Sequence, residues 1–243
     1  MPEQPPNLLP IPEDWSRALA IAAHPDDLEY GAASAIARWT SQGKDVSYVM
    51  VTRGEAGIDS MHPDETGRLR VQEEINSARV VGVDSVEFLD HPDGIIEYGL
   101  PLRRDLARVI RKVKPDVLVT INHELTFGSG RLNMADHRAV GLAILDAARD
   151  ADNRWIFPEL LDEGHEPWHG VKTVYIAAPP NITHYVDVTE FIDKGVDSLK
   201  EHRVYIDNLS QSFDPEDFLT WGAAAIGERA GCDYAVGFGV MEV

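Results

Sequence analysis

The stretch IAAHPDDLEYG, residues 21–31, places a histidine and two adjacent aspartates directly after an apolar run. The run ALAIAA, residues 18–23, is short and continuously apolar, which is typical of a β-strand covered on both faces. Side by side, the Asp26 and Asp27 carboxylates repel each other and resist desolvation. The stretch therefore predicts that a positive group lies beside them where the strand ends, or that one of them stays in water.

The composition indicates one α/β domain and excludes several classes of partner. A chain of 243 residues with 44% hydrophobic residues can bury one sizeable core. Its formal net charge of −19 argues against nucleic acid and anionic membrane surfaces, because both need basic patches. No apolar run approaches the ~20 residues that cross a bilayer, and no signal-peptide pattern is present, so membrane insertion is not expected. The single cysteine, Cys232, excludes an internal disulfide and favours a cytoplasmic location.

Strands and helices alternate after the first strand. Further strands are predicted at residues 45–52, 85–90 and 115–122, and helices at residues 32–42, 65–82, 101–114 and 135–151. Short connections between such elements favour right-handed βαβ units and a Rossmann-like parallel sheet flanked by helices on both faces. The C-terminal third is expected to add strands and helices to the same domain, at residues 171–179, 183–189, 190–209 and 215–231. We expect an N-terminal arm over residues 1–15 and a single domain over residues 16–243.

Polar side chains follow four successive predicted strands at the point where each strand ends. They are His24, Arg53, His91 and His123. Ligands of parallel α/β sheets bind beyond the carboxyl ends of the strands, so these residues indicate one functional site at that edge.

His24 and Asp27 are three residues apart on a strand-to-helix turn, where their side chains can converge on a divalent cation. Zinc accepts imidazole nitrogen and carboxylate oxygen, and a catalytic zinc site uses three protein ligands with one open position. His137, at the start of the helix that follows the glycine-rich loop 127–133, is the candidate third ligand. The sequence thus predicts one bound cation, zinc or alternatively iron, in an open hydrolytic site.

Asp26 has a different predicted role from its neighbour. Once a cation neutralises Asp27, Asp26 can stay ionised beside a cation-activated water and take its proton as a general base. The alternative interpretation is a polar turn in which an aspartate caps the next helix. Its position after a buried strand, and a second Asp-His pair at residues 136–137, favour the metal site.

These segments resemble the LmbE-like, or PIG-L, family of zinc N-deacetylases, which act on N-acetylglucosaminyl compounds and related amides. The resemblance covers most of the chain. It rests on AHPDDLEYG at residues 23–31, TRGEAG at 52–57, RVQEEINSARVVGVDSVEFLDHPDG at 70–94, PDVLVTIN at 115–122 and DHRAVG at 136–141. It implies an LmbE-like fold and hydrolysis of an N-acyl, most simply N-acetyl, amide on an amino sugar, which releases acetate and a free amine.

The resemblance also implies residue roles. His24, Asp27 and His137 would bind zinc, and Asp26 would be the general base, in agreement with the coordination argument. Asp136, next to His137, is taken as a further catalytic residue.

Three charged residues are implied to line the substrate pocket. Arg70 matches an Arg-x-x-Glu helix start, and Arg53 and Glu55 lie in the loop after the second strand. The alternative for Arg70 is a surface ion pair with Glu73 or Glu74, and for the other two a solvated loop.

Met134 departs from the family pattern. The family usually has His-Pro-Asp-His in the second metal segment, and its first histidine is implicated in steadying the oxyanion or protonating the leaving amine. Methionine can do neither. Three outcomes are open. Another residue takes the role, and the candidates are His184 as a catalytic residue and His123 and Asn133 as substrate-binding residues. Alternatively Asp26 shuttles the proton, or the activity is weakened or altered.

Three other functions are compatible with parts of this pattern. The enzyme could be an amidase that acts on a larger conjugate or a secondary metabolite, or the chain could be a metal-binding homologue with little catalysis. A dinucleotide-binding enzyme is disfavoured because no G-x-G-x-x-G follows the first strand. The predicted partner is a small amino-sugar amide, and the oligomeric state is open, a homo-oligomer included.

Overall fold

In a computed structural model of the chain, residues 8–127, 130–209 and 211–243 are described. The first seven residues of the predicted arm, and residues 128–129 of the predicted glycine-rich loop, lie outside this part of the chain.

Eight strands of the described residues form a single sheet. They are β1 (Leu9–Pro10), β2 (Arg17–Ala22), β3 (Asp45–Met50), β4 (Ser85–Phe88), β5 (Val117–Ile121), β6 (Thr173–Ala177), β7 (His184–Asp187) and β8 (Ala235–Glu242). Their order is β1-β7-β8-β6-β5-β2-β3-β4. All neighbours pair in parallel except β8, which runs antiparallel between β6 and β7.

Nine helices connect these strands within the described residues. They are α1 (Asp27–Gly31), α2 (Ala33–Ser41), α3 (Pro63–Val80), α4 (Leu100–Val113), α5 (Ala135–Asp152), α6 (Glu159–Asp162), α7 (Ile192–Lys200), α8 (Arg203–Asp207) and α9 (Pro215–Ala230). A search of the same residues finds no helix with the length and apolarity needed to cross a bilayer.

Strand β2 shows why the sheet is covered on both faces. Successive side chains of a strand point to opposite faces, so an apolar run has one set of residues for each face. Ala18, Ala20 and Ala22 belong to one hydrophobic core, and Leu19 and Ile21 belong to the other. All five are fully buried. The prediction of an α/β sheet flanked by helices on both faces is confirmed.

Two C-terminal elements differ from the expectations. Strand β8 was not expected, because Gly237 and Gly239 lower strand propensity. A Cβ atom at Gly237 would lie 2.8 Å from the Ile182 side chain, so close packing explains this glycine. The single helix expected over residues 190–209 is two helices, because the backbone leaves the helical conformation at His202, whose side chain is fully buried.

The predicted N-terminal arm joins the domain from Leu8 onward. Leu9 and Pro10 pair with β7, and Leu8, Ile11 and Trp15 are buried. The described part of residues 1–15 therefore packs on the sheet.

Phe238 on β8 offers a test of the unexpected antiparallel strand. Its ring is fully buried, with centroids 5.9 Å from Trp39 and 6.3 Å from Tyr175. We expect Phe238→Ala to lower the free energy of unfolding by about 3–5 kcal/mol, because it removes these contacts and leaves a cavity. Urea unfolding followed by circular dichroism measures the change. Leu142→Ala, at a half-exposed position of α5, is the control and should change stability by about 0.5 kcal/mol or less. A similarly small effect at Phe238 would contradict the core position.

Candidate metal centre

The site lies at the carboxyl end of β2, which is the topological switch point of the sheet. The chain continues from β2 to β3 on one side, whereas β5 lies on the other. Loops on the two sides of such a switch point separate and leave a crevice for ligands. His24 follows β2, and His137 lies in the first turn of α5, the helix after β5.

The three predicted ligands meet in this crevice. His24 Nδ1 lies 3.4 Å from Asp27 Oδ2, and His137 Nε2 lies 3.0 Å from Asp27 Oδ1. The two imidazole centroids are 5.3 Å apart. Each of the three residues is buried, and one ligand atom from each lies within 4.8 Å of the others.

The outer nitrogens of the two imidazoles have hydrogen-bond acceptors. His24 Nε2 lies 3.2 Å from Asp136 Oδ2 and 3.0 Å from Asp93 Oδ1. His137 Nδ1 lies 2.8 Å from Asn133 Oδ1. That oxygen also accepts the Met134 N–H. Acceptors behind a histidine fix the proton on the outer nitrogen and turn the lone pair of the inner nitrogen towards a metal.

This donor set fits a cation. Within the described residues, buried His137 Nε2 has no hydrogen-bond partner although it lies beside Asp27 Oδ1. With its proton on Nδ1, the Nε2 lone pair would face a carboxylate lone pair, which is unfavourable unless positive charge lies between them. A proton on an inner nitrogen or a metal ion can supply that charge, and two imidazoles with one carboxylate are ligands that zinc takes.

The charges of the cluster also favour a positive group beside Asp27. Burial raises the pKa of Asp27, but His137 and His24 outweigh burial and hold that pKa well below its ordinary value. Burial lowers the pKa of His24, whereas Asp27, Asp136 and Asp93 raise it, and the net pKa is well above 6.5. The cluster therefore favours an ionised Asp27 with positive charge next to it.

Asp26 points to a different set of partners because its backbone is left-handed, with φ of 91°. Its Oδ1 lies 3.1 Å from Arg70 Nη2, and its N–H donates to Glu74 Oε2 at 3.0 Å. Its Oδ2 is buried and, in the part of the chain that is described, has no partner. Burial outweighs the Arg70 charge and raises the pKa of Asp26 to about 7. Arg70 is thus the positive group that the paired aspartates require.

Arg70 is held rigidly under the site. Its Nη1 donates to Gly54 O at 3.1 Å, Nη2 donates to Pro25 O, and its guanidinium lies 4.2 Å from the centre of the Tyr205 ring. A Cβ atom at Gly54 would lie 2.3 Å from Nη1, so the loop approaches the guanidinium closely only with glycine there. Burial of Arg70 beneath the aspartates contradicts the alternative of a surface ion pair, whereas its predicted contact with substrate stays a prediction.

A fully buried polar layer supports Asp26, and sequence reasoning missed it. Glu74 lies near Glu29 and His202, whose Nε2 is 3.8 Å from Glu74 Oε2 and 3.7 Å from Glu29 Oε2. The Ser77 hydroxyl donates to Glu29 Oε1 at 2.8 Å. Glu29 and Glu74 belong to the quoted motifs, but burial of an acid cannot be read from a helical pattern. Asp93, behind His24, was also missed, and its only signal was the HPDG turn at residues 91–94.

Two predicted residues lie behind the ligands instead of in the pocket. Asp136 accepts the N–H groups of Gly94 at 2.7 Å and Ile96 at 3.1 Å besides its contact with His24. The side-chain amide nitrogen of Asn133 donates hydrogen bonds to the carbonyls of Asn122 and Glu124. Asp136 Oδ2 and Asn133 Oδ1 contact the imidazoles, and the other polar atom of each side chain binds backbone groups. This placement corrects the catalytic role expected of Asp136 and the substrate contact expected of Asn133.

Other predicted residues are not brought to the cluster. Arg53 is half exposed and pairs with Asp90, and Glu55 accepts the Asp93 N–H at 2.9 Å, so it shapes the loop. His184 begins β7, four strands from β2, which corresponds to about 19 Å across the sheet. This distance from the metal cluster contradicts the catalytic role expected of His184.

His123 and Met134 complete the predicted set. A Cβ atom at Gly141 of α5 would lie 2.2 Å from His123 Cβ, so the histidine packs against this helix one turn beyond His137. Burial lowers the pKa of His123. Met134 precedes α5 and is half exposed.

Comparisons with known proteins are consistent with this geometry. The profile of the GlcNAc-PI de-N-acetylase (PIG-L) family matches residues 19–148. The chain is 27% identical over 229 residues to a diacetylchitobiose deacetylase of Thermococcus kodakarensis, with coverage of 92% of this chain and 82% of the relative. It is 32% identical over 206 residues to a probable N-acetyl-alpha-D-glucosaminyl L-malate deacetylase 2 of Bacillus subtilis, covering 81% and 86%.

A solved structure superposes on most of this chain. The N,N'-diacetylchitobiose deacetylase of Pyrococcus horikoshii superposes with a TM-score of 0.85 at 27% identity, over 94% of this chain and 85% of that one.

Metal analysis tests the three-ligand cluster. We expect the purified protein to hold one divalent cation per chain by inductively coupled plasma mass spectrometry. His24→Ala and His137→Ala should lose most of it, because each removes one of three ligands. His184→Ala, on the distant strand, is the histidine control and should retain it. Unchanged metal content in both ligand variants would contradict the cluster.

Proposed function

Because the chain belongs to the GlcNAc-PI de-N-acetylase (PIG-L) family, we propose that it hydrolyses the N-acetyl amide of an amino-sugar compound to acetate and a free amine. The observation that carries this proposal is a buried aspartate beside a three-residue ligand set, with one carboxylate oxygen that has no hydrogen-bond partner among the described residues. The relatives support it, since they are named as deacetylases of diacetylchitobiose or of an N-acetylglucosaminyl compound.

His24, Asp27 and His137 would hold the divalent cation. We propose zinc, because two imidazoles and one carboxylate leave an open position of the kind that catalytic zinc sites use. Iron(II) takes the same donor set in other proteins and is the other outcome that metal analysis distinguishes. When bound, the cation would polarise the amide carbonyl and acidify a water molecule.

Asp26 acts as the general base. Arg70 holds Oδ1, and Oδ2, which has no partner in the part of the chain that the structure describes, is the atom that accepts a proton. The attacking water forms the new C–O bond with the amide carbon and gives its proton to Oδ2. The amide nitrogen then gains that proton, the C–N bond breaks, and the nitrogen leaves as a free amine.

Asp26 also returns the proton to the leaving nitrogen. Four observations support this single-residue shuttle in place of the histidine that Met134 replaces. Met134 has no ionisable proton, the Asn133 amide is occupied by two carbonyls, and His184 lies four strands away. His123 has its pKa lowered by burial, which disfavours a cationic acid at that position.

The composition supports a cellular location and a kind of substrate for the enzyme. The single cysteine, Cys232, and the acidic net charge fit a small-molecule enzyme of the cytoplasm. We propose a single domain over residues 16–243, to whose sheet the predicted arm adds strand β1 at one edge.

The base assignment predicts a separation of metal binding from turnover. Asp26→Asn should lower kcat for N-acetylglucosamine or N,N'-diacetylchitobiose by about 100-fold or more, because the amide accepts no proton at neutral pH. Free amine is measured with fluorescamine, and metal content is measured in parallel and should stay near one per chain. Asp90→Asn, at an exposed position, is the matched control. Near-normal turnover in Asp26→Asn with full metal content would refute the assignment.

Glu74 allows a test of how Asp26 is held. A left-handed non-glycine residue costs about 1–3 kcal/mol and persists only where its surroundings hold it. Glu74→Leu removes the acceptor of the Asp26 N–H, so we expect kcat to fall about tenfold or more with little change in KM. Glu74→Gln keeps an oxygen at that position and should recover most of the loss. Equal losses in both variants, with unchanged melting temperature, would contradict the positioning role.

A further inference from the structure

Arg70 holds Asp26, yet its own hydrogen bonds restrain only one end of the guanidinium group. Nη1 donates to Gly54 O, and Nη2 donates to Pro25 O and lies 3.1 Å from Asp26 Oδ1. The inner nitrogen, Nε, is buried and has no acceptor among the described residues. All of these contacts use the outer nitrogens, so the tilt of the guanidinium plane depends on what packs against it.

The aromatic ring of Tyr205 packs against this guanidinium group. The centre of the ring lies 4.2 Å from Arg70 Cζ. An aromatic face attracts a cation, and the attraction is stronger where water is excluded. Arg70 is buried, so the contact lies in such a place. The ring therefore supplies the restraint that the hydrogen bonds of Arg70 leave open.

The loop at residues 54–57 leaves Arg70 no space to move into. A Cβ atom at Gly57 would lie 2.3 Å from Arg70 Nη1, and one at Gly54 would lie 2.7 Å from Cζ. Loss of the Tyr205 ring would instead open space where the ring now lies. A guanidinium group is a planar fork that keeps its hydrogen bonds in one orientation only. Removal of the ring should therefore loosen the contact between Arg70 and Asp26.

Glu73 connects Tyr205 to the helix that carries Arg70. It follows Arg70 by three residues on α3, so the two side chains lie on neighbouring positions of one helix face. Glu73 Oε1 accepts the N–H of Val204 in the first turn of α8, the helix that contains Tyr205. Helix α3 thus carries both the cation and the acceptor that anchors the ring beside it.

The hydroxyl group of Tyr205 is not needed for this packing. Burial, and after it the charge of Asp26, raises the pKa of Tyr205 to about 12, so the phenol is neutral at neutral pH. A neutral ring attracts the guanidinium group through its face, and phenylalanine has the same kind of face. The ring and the hydroxyl can therefore be separated by substitution.

We propose that Tyr205 is a positioning residue for amide hydrolysis, whose ring holds Arg70 against Asp26 and so fixes the direction of the Asp26 carboxylate. The inference rests on the proposed deacetylation, in which Asp26 is the base, and adds a residue that acts on this base through Arg70. Tyr205 lies after residue 148, beyond the part of the chain that matches the family profile. The C-terminal third thus contributes to the rate of the reaction.

Steady-state kinetics test the role of the ring. We expect Tyr205→Leu to lower kcat about tenfold and to change KM less than about twofold, because a misdirected base slows the reaction without weakening substrate binding. Tyr205→Phe keeps the ring and should retain kcat to within about twofold. Tyr185→Leu, at a partly buried tyrosine of β7, is the matched control and should retain kcat.

Two kinetic results would overturn the positioning role. One is an unchanged kcat in Tyr205→Leu, and the other is an equal loss in Tyr205→Phe, which would assign the effect to the hydroxyl group. Metal content and melting temperature are measured for each variant, and Tyr205→Leu should keep the wild-type metal content because it removes no ligand. Loss of the cation from this variant would assign the fall in kcat to the metal centre and would also overturn the role.

A second substitution tests whether Tyr205 acts through Arg70. Arg70→Lys keeps the charge and loses the planar fork, so kcat should fall. Adding Tyr205→Leu to this variant should lower kcat by less than about twofold more, because two residues that act through one contact are not additive. A further tenfold loss in the double variant would contradict a route through Arg70.

Hydrogen exchange separates this proposal from the proposed function. The Arg70 Nε–H signal is identified in nuclear magnetic resonance spectra of protein with ¹⁵N-labelled arginine by its loss in Arg70→Lys. We expect this proton to exchange with water about tenfold faster or more in Tyr205→Leu than in the wild type and Tyr205→Phe, because the ring excludes water.

The two proposals fail on different results. If the wild-type protein with its cation hydrolyses no amino-sugar amide, the deacetylation fails, and the exchange rates alone decide whether Tyr205 restrains Arg70. Equal exchange rates in the wild type, Tyr205→Phe and Tyr205→Leu overturn the positioning role whether or not turnover is seen.

Discussion

The buried carboxylate of Asp27 is the constraint on which the candidate site depends. It lies 3.0 Å from His137 Nε2 and 3.4 Å from His24 Nδ1, and it joins the segment after β2 to the helix after β5. Both imidazoles have their outer nitrogens committed, to Asn133 on one side and to Asp136 and Asp93 on the other. A cation between these groups would neutralise one carboxylate and leave the residues behind them to fix its geometry.

The left-handed backbone of Asp26 is what gives two adjacent aspartates different roles. In a regular helix or strand, neighbouring carboxylates would share one environment or face opposite sides of the element. Here the turn directs Asp27 to the imidazoles and Asp26 to Arg70, while Glu74 accepts the Asp26 N–H. The strained conformation is supported by hydrogen bonds from α3, so the chemistry of the first loop depends on a helix that lies about fifty residues later in the chain.

The two parts of the chain contribute differently to function. The segment that matches the family profile supplies the candidate ligands, the candidate base and Arg70. The later segment adds an antiparallel strand to the sheet, contributes His202 to the buried layer under Asp26, and packs Phe218 against Tyr30. A reaction centre of one kind can thus be combined with different surroundings, which is why fold and family specify the reaction more closely than the substrate.

Local pattern determined much of this protein. The apolar run of β2, the alternation of strands and helices and the His-x-x-Asp spacing are short-range features, and they suffice for the sheet covered on both faces and for His24, Asp27 and His137 as candidate ligands. The tertiary structure alone decided the rest. It showed that Asp136 and Asn133 lie behind the ligands, that His184 is four strands away, and that Glu74 and Asp93 support the site. The physical reason is that a periodic pattern reports which face of an element is apolar, whereas the partner of a buried polar atom is set by which distant elements pack against it.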